Sequence, residues 1–164
     1  MLKRWLQHLT TTHFALRRCF PKKTLAAIEA AITASERQHR AEIRCAVETA
    51  LPAGLLLRGV TSAQRALEVF GRLTVWDTDE NNGVLLYVLL AERNIEIVAD
   101  RGFAGRVTPA EWESICATMQ AAFVAGQYEA GSLEALGRIS ELATRHFPSV
   151  GGNRNELPDR PLLL

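Results

Sequence analysis

The sequence predicts an α/β protein, a three-layer α/β/α sandwich with a mixed central sheet, and three observations support this fold class. The apolar run over 84–91 has no polar interruption, which is typical of a strand covered on both faces. An alternating segment over 95–100 follows it after a short polar turn. Helical periodicity with capping residues recurs on both sides of this strand pair. The predicted order of elements is therefore α-β-α-β-β-α-α.

The first half of the chain predicts a helix, a strand and a second helix. Thr24 can cap the first helix, because its side-chain oxygen can accept from a free backbone N–H. Apolar and polar side chains alternate over 42–48, which predicts a half-buried strand. Residues 61–64 have capping-box spacing and open a helix over 62–73. Because a helix joins the two strands, we expect 42–48 and 84–91 to be parallel.

The second half predicts a hairpin followed by two helices. A turn at Arg93-Asn94 would pair Asp100 near Tyr87. Thr108-Pro109 is a strong helix start, since proline suits the first helical position.

The last predicted helix starts at Ser132, after a helix end at Gly126 and a loop over 127–131. Pro148 then stops it. We expect three regions: a basic arm or helix over 1–23, a domain over 24–148, and an extended tail over 149–164.

Charge is unevenly distributed, although the net charge of +1 argues against bulk attraction to nucleic acid. The first 24 residues contain six Lys or Arg and no acid. Such a segment can contact a membrane surface, RNA or an acidic partner, or simply form a solvated helix on an acidic body, which we favour. The six cations are Lys3, Arg4, Arg17, Arg18, Lys22 and Lys23.

The N-terminal segment has neither a continuous apolar region typical of a secretory signal nor a membrane-spanning run. Three cysteines without regular spacing fit a reducing compartment. These features predict a cytoplasmic protein without a transmembrane segment. Peripheral membrane contact remains an alternative, because several apolar residues could form one face of an interfacial helix. They are Trp5, Leu6, Leu9, Phe14 and Leu16.

The loop over 77–83 is the part of the sequence that most suggests a binding site. Its start, D-T-D-E-N, resembles a calcium loop, in which alternate oxygens converge on one hard cation. Asn82 at the sixth position and Val88 at the twelfth exclude an EF-hand, which needs Gly and Glu there. An irregular oxygen site remains possible. Its candidate ligands are Asp77, Asp79, Asn81, Asn82 and Asp100.

A second set of groups is expected at the same end of the sheet. The hairpin brings Asp100-Arg101-Gly102 back towards the loop, and the helix that starts at Thr108 has an N-terminus that favours anions. The simpler interpretation is that Asn82-Gly83 and the aspartates only form and cap turns.

The segments W-D-T-D-E-N-N-G-V-L-L-Y-V-L-L, I-E-I-V-A-D-R-G and F-V-A-G-Q-Y-E-A-G resemble the TPM domain family over roughly 24–148. The ending N-E-L-P-D-R-P resembles a small soluble bacterial branch of that family. The resemblance implies an α/β/α sandwich and, in some members, a calcium or magnesium site at this end of the sheet. By position it extends to Asp77, Asn82, Gly83 and Asp100.

Three hypotheses for function follow. The first is a cation-binding module that docks onto a partner, for example in assembly or repair of a membrane-associated complex. The second is a metal-dependent acid phosphatase, in which Asp77 or Asp100 holds the cation and Arg101 steadies the phosphoryl charge. The third is a structural domain without a metal. A protein partner could contact 1–23 or the tail over 155–164, although we expect the terminal leucines to pack on their own domain.

Overall fold

The structure is a computed structural model that describes residues 2–151 and 155–164. The helices in these ranges are α1 (Leu2–Thr10), α2 (His13–Cys19), α3 (Lys22–Ser35), α4 (Ala53–Leu57), α5 (Ser62–Arg72), α6 (Pro109–Val124) and α7 (Tyr128–His146). The strands are β1 (Ile43–Glu48), β2 (Val84–Leu89), β3 (Asn94–Ala99) and β4 (Leu162–Leu163). A 3-10 turn spans Arg101–Phe103.

The four strands form one mixed sheet in the order β3-β2-β1-β4, with helices on both faces. Strands β1 and β2 are parallel because α5 carries the chain back between them. Strand β3 returns antiparallel to β2, and β4 adds parallel to β1. The predicted fold class is confirmed, with one short strand and several helices beyond the predicted order.

Strand β2 separates two hydrophobic cores. Val84, Leu86 and Val88 face the core formed with α3, α6 and α7. Leu85, Tyr87 and Leu89 alternate with them and face the core formed with α4 and α5. All six side chains are fully buried, so the uninterrupted apolar run reflects a strand that is covered on both faces, as predicted.

The β2–β3 hairpin has a different register from the one predicted. Tyr87 pairs with Glu96, and Val84 pairs with Ala99. The turn is longer because β2 ends at Leu89 and residues 90–93 form the turn, with Arg93 in the left-handed region at φ 53°. Asp100 therefore lies beside the start of β2 rather than beside Tyr87.

Two predicted helix starts were wrong. Helix α3 begins at Lys22, and the Thr24 hydroxyl donates to Glu129 on α7 at 2.6 Å instead of capping its own helix. Helix α7 begins at Tyr128, four residues before Ser132. Gly131 lies inside α7, where a Cβ would come within 2.7 Å of the Ala122 side chain. Tertiary packing of α6 on α7 therefore extends a helix through a glycine that local signals assign to a loop.

The end of the C-terminal tail adds a strand to the sheet. Leu162 pairs with Ala46, and the Leu164 N–H donates to the Val47 carbonyl at 2.9 Å. The Thr49 N–H donates to the Leu164 carbonyl at 3.1 Å. The terminal leucines thus cover the edge of β1 in their own domain, a strand that periodicity could not predict because it is two residues long.

A buried ion pair joins α5 to the carboxyl end of β1. Arg65 donates from Nε and Nη2 to the two Glu48 oxygens at 2.8 and 2.9 Å, and the Tyr87 hydroxyl donates to Glu48 at 2.6 Å. Burial, together with the Glu48 carboxylate, raises the pKa of Tyr87, so the phenol stays a donor. Because both charges are paired and hydrogen-bonded, the cluster fixes α5 on the sheet.

Gly83 sits where two chain segments approach too closely for a side chain. A Cβ there would overlap the Val75 carbonyl, so we expect Gly83→Ala to lower the free energy of unfolding by roughly 2 kcal/mol or more. Gly71→Ala is the matched control, since open space surrounds that helical glycine and alanine should be neutral or stabilising by about 0.5 kcal/mol. Urea unfolding of both variants tests this, and equal stability of Gly83→Ala and wild type would contradict it.

Candidate functional site

The candidate site lies at the end of the sheet where β2 starts and β3 ends. The Asp100 N–H donates to the Gly83 carbonyl at 2.9 Å, and the Gly102 N–H donates to the Asn81 carbonyl at 2.8 Å. The predicted approach of loop 77–83 to Asp100-Arg101-Gly102 is therefore present, and the corrected hairpin register makes it closer than predicted.

Asn82 is the most buried of the predicted ligands, with 1% of its surface exposed. Its N–H donates to the Thr78 hydroxyl at 3.0 Å, and its side-chain Nδ2 donates to the Arg40 carbonyl at 2.7 Å. Asn81 precedes it in the left-handed region at φ 53°, a conformation that asparagine tolerates better than most residues. These contacts hold the loop and orient the Asn82 amide.

Asp100 begins the 3-10 turn, and its Oδ1 accepts from the Arg101 N–H at 2.7 Å. Arg101 in turn donates from Nε to Asn81 Oδ1 at 2.8 Å, while the rest of its side chain is exposed. Asp100 and Arg101 are therefore tied to the loop through both backbone and side chain.

Oxygens at this end of the sheet that are buried without a hydrogen-bond donor among the described residues include Asn82 Oδ1, Asp100 Oδ2 and Glu42 Oε1. Burial of a polar atom without a partner costs about 1 to 3 kcal/mol, so such atoms are rare in folded proteins. Carboxylate and amide oxygens are also the ligands that calcium and magnesium prefer. Asn82 Oδ1 and Asp100 Oδ2 are thus of the chemical type that a hard divalent cation binds.

Asp77 and Asp79 lie in the same loop but are exposed. The Asp79 N–H donates to Glu156 of the tail at 3.2 Å, and Glu80 pairs with Arg40 at 2.7 Å. Within the described ranges, no group of three or more His, Cys, Asp or Glu side chains is arranged to hold a metal. Any cation here would therefore use amide or backbone oxygens beside its carboxylates.

The N-terminus of α6 was expected to attract anions. The carboxylate of Glu111, a residue of the same helix, already lies there. The Thr108 N–H donates to Glu111 at 2.8 Å, and the Thr108 hydroxyl accepts from the Glu111 N–H at 3.3 Å. The bonds that the Thr108 N–H and hydroxyl donate to the Glu111 carboxylate lower its pKa. This feature of the predicted site is a capping box.

Two buried glutamates near this end of the sheet were not found by sequence reasoning. Glu42 Oε2 accepts from the Leu157 N–H at 3.0 Å, and Glu36 Oε1 accepts from the Ile43 N–H at 3.1 Å. Burial raises the pKa of Glu36 to about 8 and that of Glu42 to about 7. The sequence showed only that Glu42 is the first residue of a predicted strand. It could not show that Glu42 is buried, because the tail that covers it is far away in the chain.

The tail closes over these glutamates. Arg44 donates to the carbonyls of Pro158 and, at 3.2 Å, Arg160. The Thr33 hydroxyl donates to Asp159, and the Asn155 amide donates to the same carboxylate at 2.7 Å. Backbone carbonyls, rather than a carboxylate, therefore accept from the buried Arg44 guanidinium.

The chain belongs to the TPM domain family, because the family model matches residues 17–142. Among solved structures, it is similar to the NMR structure of the BA42 protein from the psychrophilic bacterium Bizionia argentinensis. The two are 25% identical with a TM-score of 0.76, covering 87% of this chain and 93% of BA42. Similarity to a bacterial protein agrees with the resemblance to a bacterial branch of the family.

No curated protein matches the chain. Among the described residues, no helix is both long enough and apolar enough to cross a membrane.

Glu36 and Glu42 predict an unusual dependence of stability on pH. Because both pKa values are raised above the ordinary 4.5, the folded chain holds protons that the unfolded chain releases. The contribution of these two glutamates to the free energy of unfolding should therefore be greatest below about pH 4.5. It should fall by about 1 to 3 kcal/mol per glutamate as the pH rises towards 7 to 8.

Glu42→Gln tests this prediction, because glutamine keeps an acceptor for the Leu157 N–H but cannot ionise. Its melting temperature should exceed that of wild type at pH 8, with a flatter profile between pH 4.5 and 8. Glu134→Gln, an exposed position on α7, is the control and should follow wild type. Parallel profiles for Glu42→Gln and wild type would contradict the prediction.

Proposed function

We propose that this TPM domain binds a divalent cation, calcium or magnesium, where β2 begins and β3 ends. The observation that supports this is the pair of buried oxygens, Asn82 Oδ1 and Asp100 Oδ2, that have no donor among the described residues. A cation bound there would satisfy both atoms at once, since oxygen ligands are what these ions require. Asp77 and Asp79 are exposed in the same loop and would supply further carboxylates.

Asn81 is a weaker ligand than proposed from the sequence, because Arg101 already uses its Oδ1. Its backbone carbonyl also accepts from Gly102. In our proposal Asn81 and Arg101 position the loop, while Asn82 and Asp100 contact the ion.

The proposed ion has a structural role. It would lock loop 77–83 to the end of β3 and offset the negative charge of the neighbouring carboxylates. A cation-dependent binding module of this kind could present a fixed surface to a partner in a membrane-associated assembly. We do not assign that contact to the tail, since residues 155–164 pack against their own domain.

Asp100→Asn is the sharpest test of the site, because asparagine can still accept from the Arg101 N–H but has lost the charge. Calorimetric titration of metal-stripped protein with calcium, then magnesium, should show saturable binding that this variant weakens at least tenfold. Wild-type protein should also melt at a higher temperature with the ion, since a ligand that binds the folded state stabilises it.

Glu141→Asn removes an exposed carboxylate on α7 and serves as the control, which should titrate as wild type does. Asp77→Asn should weaken binding less than Asp100→Asn, since Asp77 is exposed. Absence of saturable binding in wild type would sink the proposal and leave the loop as a turn.

A second candidate is metal-dependent phosphatase activity, favoured by the position of Arg101. Its exposed guanidinium lies next to Asp100 and the loop, where it could bind a phosphoryl oxygen of a substrate held by the ion. In this proposal Asp77 or Asp100 holds the cation and Arg101 steadies the developing charge.

Hydrolysis of p-nitrophenyl phosphate at acidic pH, with and without the cation, tests this activity. We expect Arg101→Gln to lower kcat/KM about a hundredfold, a larger loss than its effect on calorimetric cation binding. If the protein binds the cation but hydrolyses no more substrate than a protein-free blank, the cation-binding proposal stands and the phosphatase proposal is rejected.

A further inference from the structure

Helix α1 is attached to the domain by its polar side. Arg4 donates to Glu92 at 2.7 Å and to the Val60 carbonyl at 2.6 Å. His8 is buried, accepts from the Leu51 N–H through Nδ1 at 2.9 Å, and contacts Glu92 through Nε2 at 2.7 Å. Because Nδ1 is the acceptor, Nε2 carries the proton and donates to the carboxylate. The inward face of α1 thus combines these hydrogen bonds with one half-buried apolar side chain, Trp5.

The apolar side of α1 faces away from the domain. Leu2, Leu6 and Leu9 are 86%, 62% and 72% exposed. Their spacing of four and three residues places them on one face of the helix. A surface helix ordinarily packs such a stripe against the core, so the orientation of α1 is the reverse of the usual one. Phe14, in the first turn of α2, adds a fourth side chain that is 76% exposed.

The interfacial face predicted from the sequence is therefore only partly correct. Leu6, Leu9 and Phe14 are exposed as that face requires. Leu16 is buried in the core, and Trp5 is half-buried against the second core. Leu2 takes their place on the outward surface.

Two cations follow Phe14 on α2. Arg17 and Arg18 are exposed three and four residues after Phe14, on the adjoining face of α2. The chain has no acidic residue before Glu29. Next to them a groove of about 490 Å³, between α2 and the β2–β3 turn, is lined by Phe14, Arg18, Arg93 and Val124 among others. This surface therefore combines exposed apolar side chains with positive charge.

We propose that this surface binds the interface of an anionic lipid bilayer. We call it the N-terminal patch; its members are Leu2, Leu6, Leu9, Phe14, Arg17 and Arg18. The four apolar side chains would enter the boundary between headgroups and acyl chains, while the arginines contact lipid phosphates. The groove gives a headgroup one further cation, Arg93, beside Arg18.

Charge argues for a bilayer over a second copy of the chain. In a symmetric dimer the same surface would meet itself, so Arg17 and Arg18 would face their own counterparts without acidic partners. An anionic bilayer supplies both an apolar phase and the opposite charge.

The patch lies at the opposite end of the sheet from the proposed cation site. Glu92, which holds α1, is in the β2–β3 turn, whereas Asn82 and Asp100 lie where β2 begins and β3 ends. The bound domain would therefore keep the cation site away from the lipid. The two sites are tested independently, because lipid binding through the patch requires no ion.

Co-sedimentation of the full chain with vesicles tests the proposal. The vesicles are phosphatidylcholine alone and equimolar phosphatidylcholine with phosphatidylglycerol. We expect binding to the anionic vesicles only. Replacing Leu6 and Leu9 together by serine should weaken it at least tenfold, because the apolar insertion is lost. Replacing Arg17 and Arg18 together by glutamine should weaken it about thirtyfold.

Two control variants carry the same chemical changes elsewhere. Leu57→Ser with Leu67→Ser removes two leucines that are 76% and 63% exposed. Arg58→Gln with Arg72→Gln removes two exposed cations, so that net charge is matched. Both should bind anionic vesicles as wild type does, and thermal unfolding checks that each variant is folded.

Several results would overturn the proposal. They are no binding by wild type, equal binding to uncharged vesicles, or equal losses in the patch and control variants. Sedimentation velocity supplies one more: a dimer that the leucine variants abolish, without any effect on lipid binding, would make the patch a protein interface.

Discussion

Burial of β2 on both faces is the constraint on which the rest of the structure depends. Its six side chains are fully buried, and its backbone pairs with β1 on one edge and β3 on the other. Such a strand exposes no side chain along its length. Polar groups near it therefore lie at its two ends. At its start, Gly83 passes the Val75 carbonyl so closely that no side chain fits. That contact brings the two ends of the acidic loop together, and the Asp100 and Gly102 N–H groups then donate to the Gly83 and Asn81 carbonyls.

The two ends of the sheet differ in chemistry. Where β2 begins, carboxylates and amides gather from loop 77–83, from the end of β3 and from the tail. At the other end, the β2–β3 turn holds α1 through Glu92, and the neighbouring surface is basic and apolar. A domain with a net charge of only +1 can therefore be acidic at one end and basic at the other. The average charge of a chain says little about either end.

Strand β1 carries buried glutamates near both of its ends, and their surroundings differ. Glu48 receives two bonds from Arg65 and one from Tyr87, so its charge is compensated. Glu42 accepts from the Leu157 N–H but has no cationic partner among the described residues. Burial first, and the nearby Glu156 and Asp159 charges second, raise its pKa to about 7. The same residue type thus fixes an element in one place and makes stability depend on pH in the other.

The sequence by itself determined the central elements, because their signals are local. The apolar run of β2 and the capping boxes at Thr61 and Thr108 depend on residues within a few positions of one another. The alternation of β1 located that strand but wrongly predicted a half-buried one: all six residues are buried, because the tail covers Arg44 and Arg65 pairs with Glu48. The sequence also indicated that loop 77–83 approaches Asp100.

Contacts between residues far apart in the chain decided the rest. They set the hairpin register, extended α7 through Gly131, placed β4 against β1 and buried Glu42 beneath the tail. They also orient α1 with its leucines outward, because Arg4 and His8 form hydrogen bonds with Glu92, Val60 and Leu51 on the domain. Helical periodicity identifies an apolar face, but only the tertiary structure decides whether that face meets the core or the solvent.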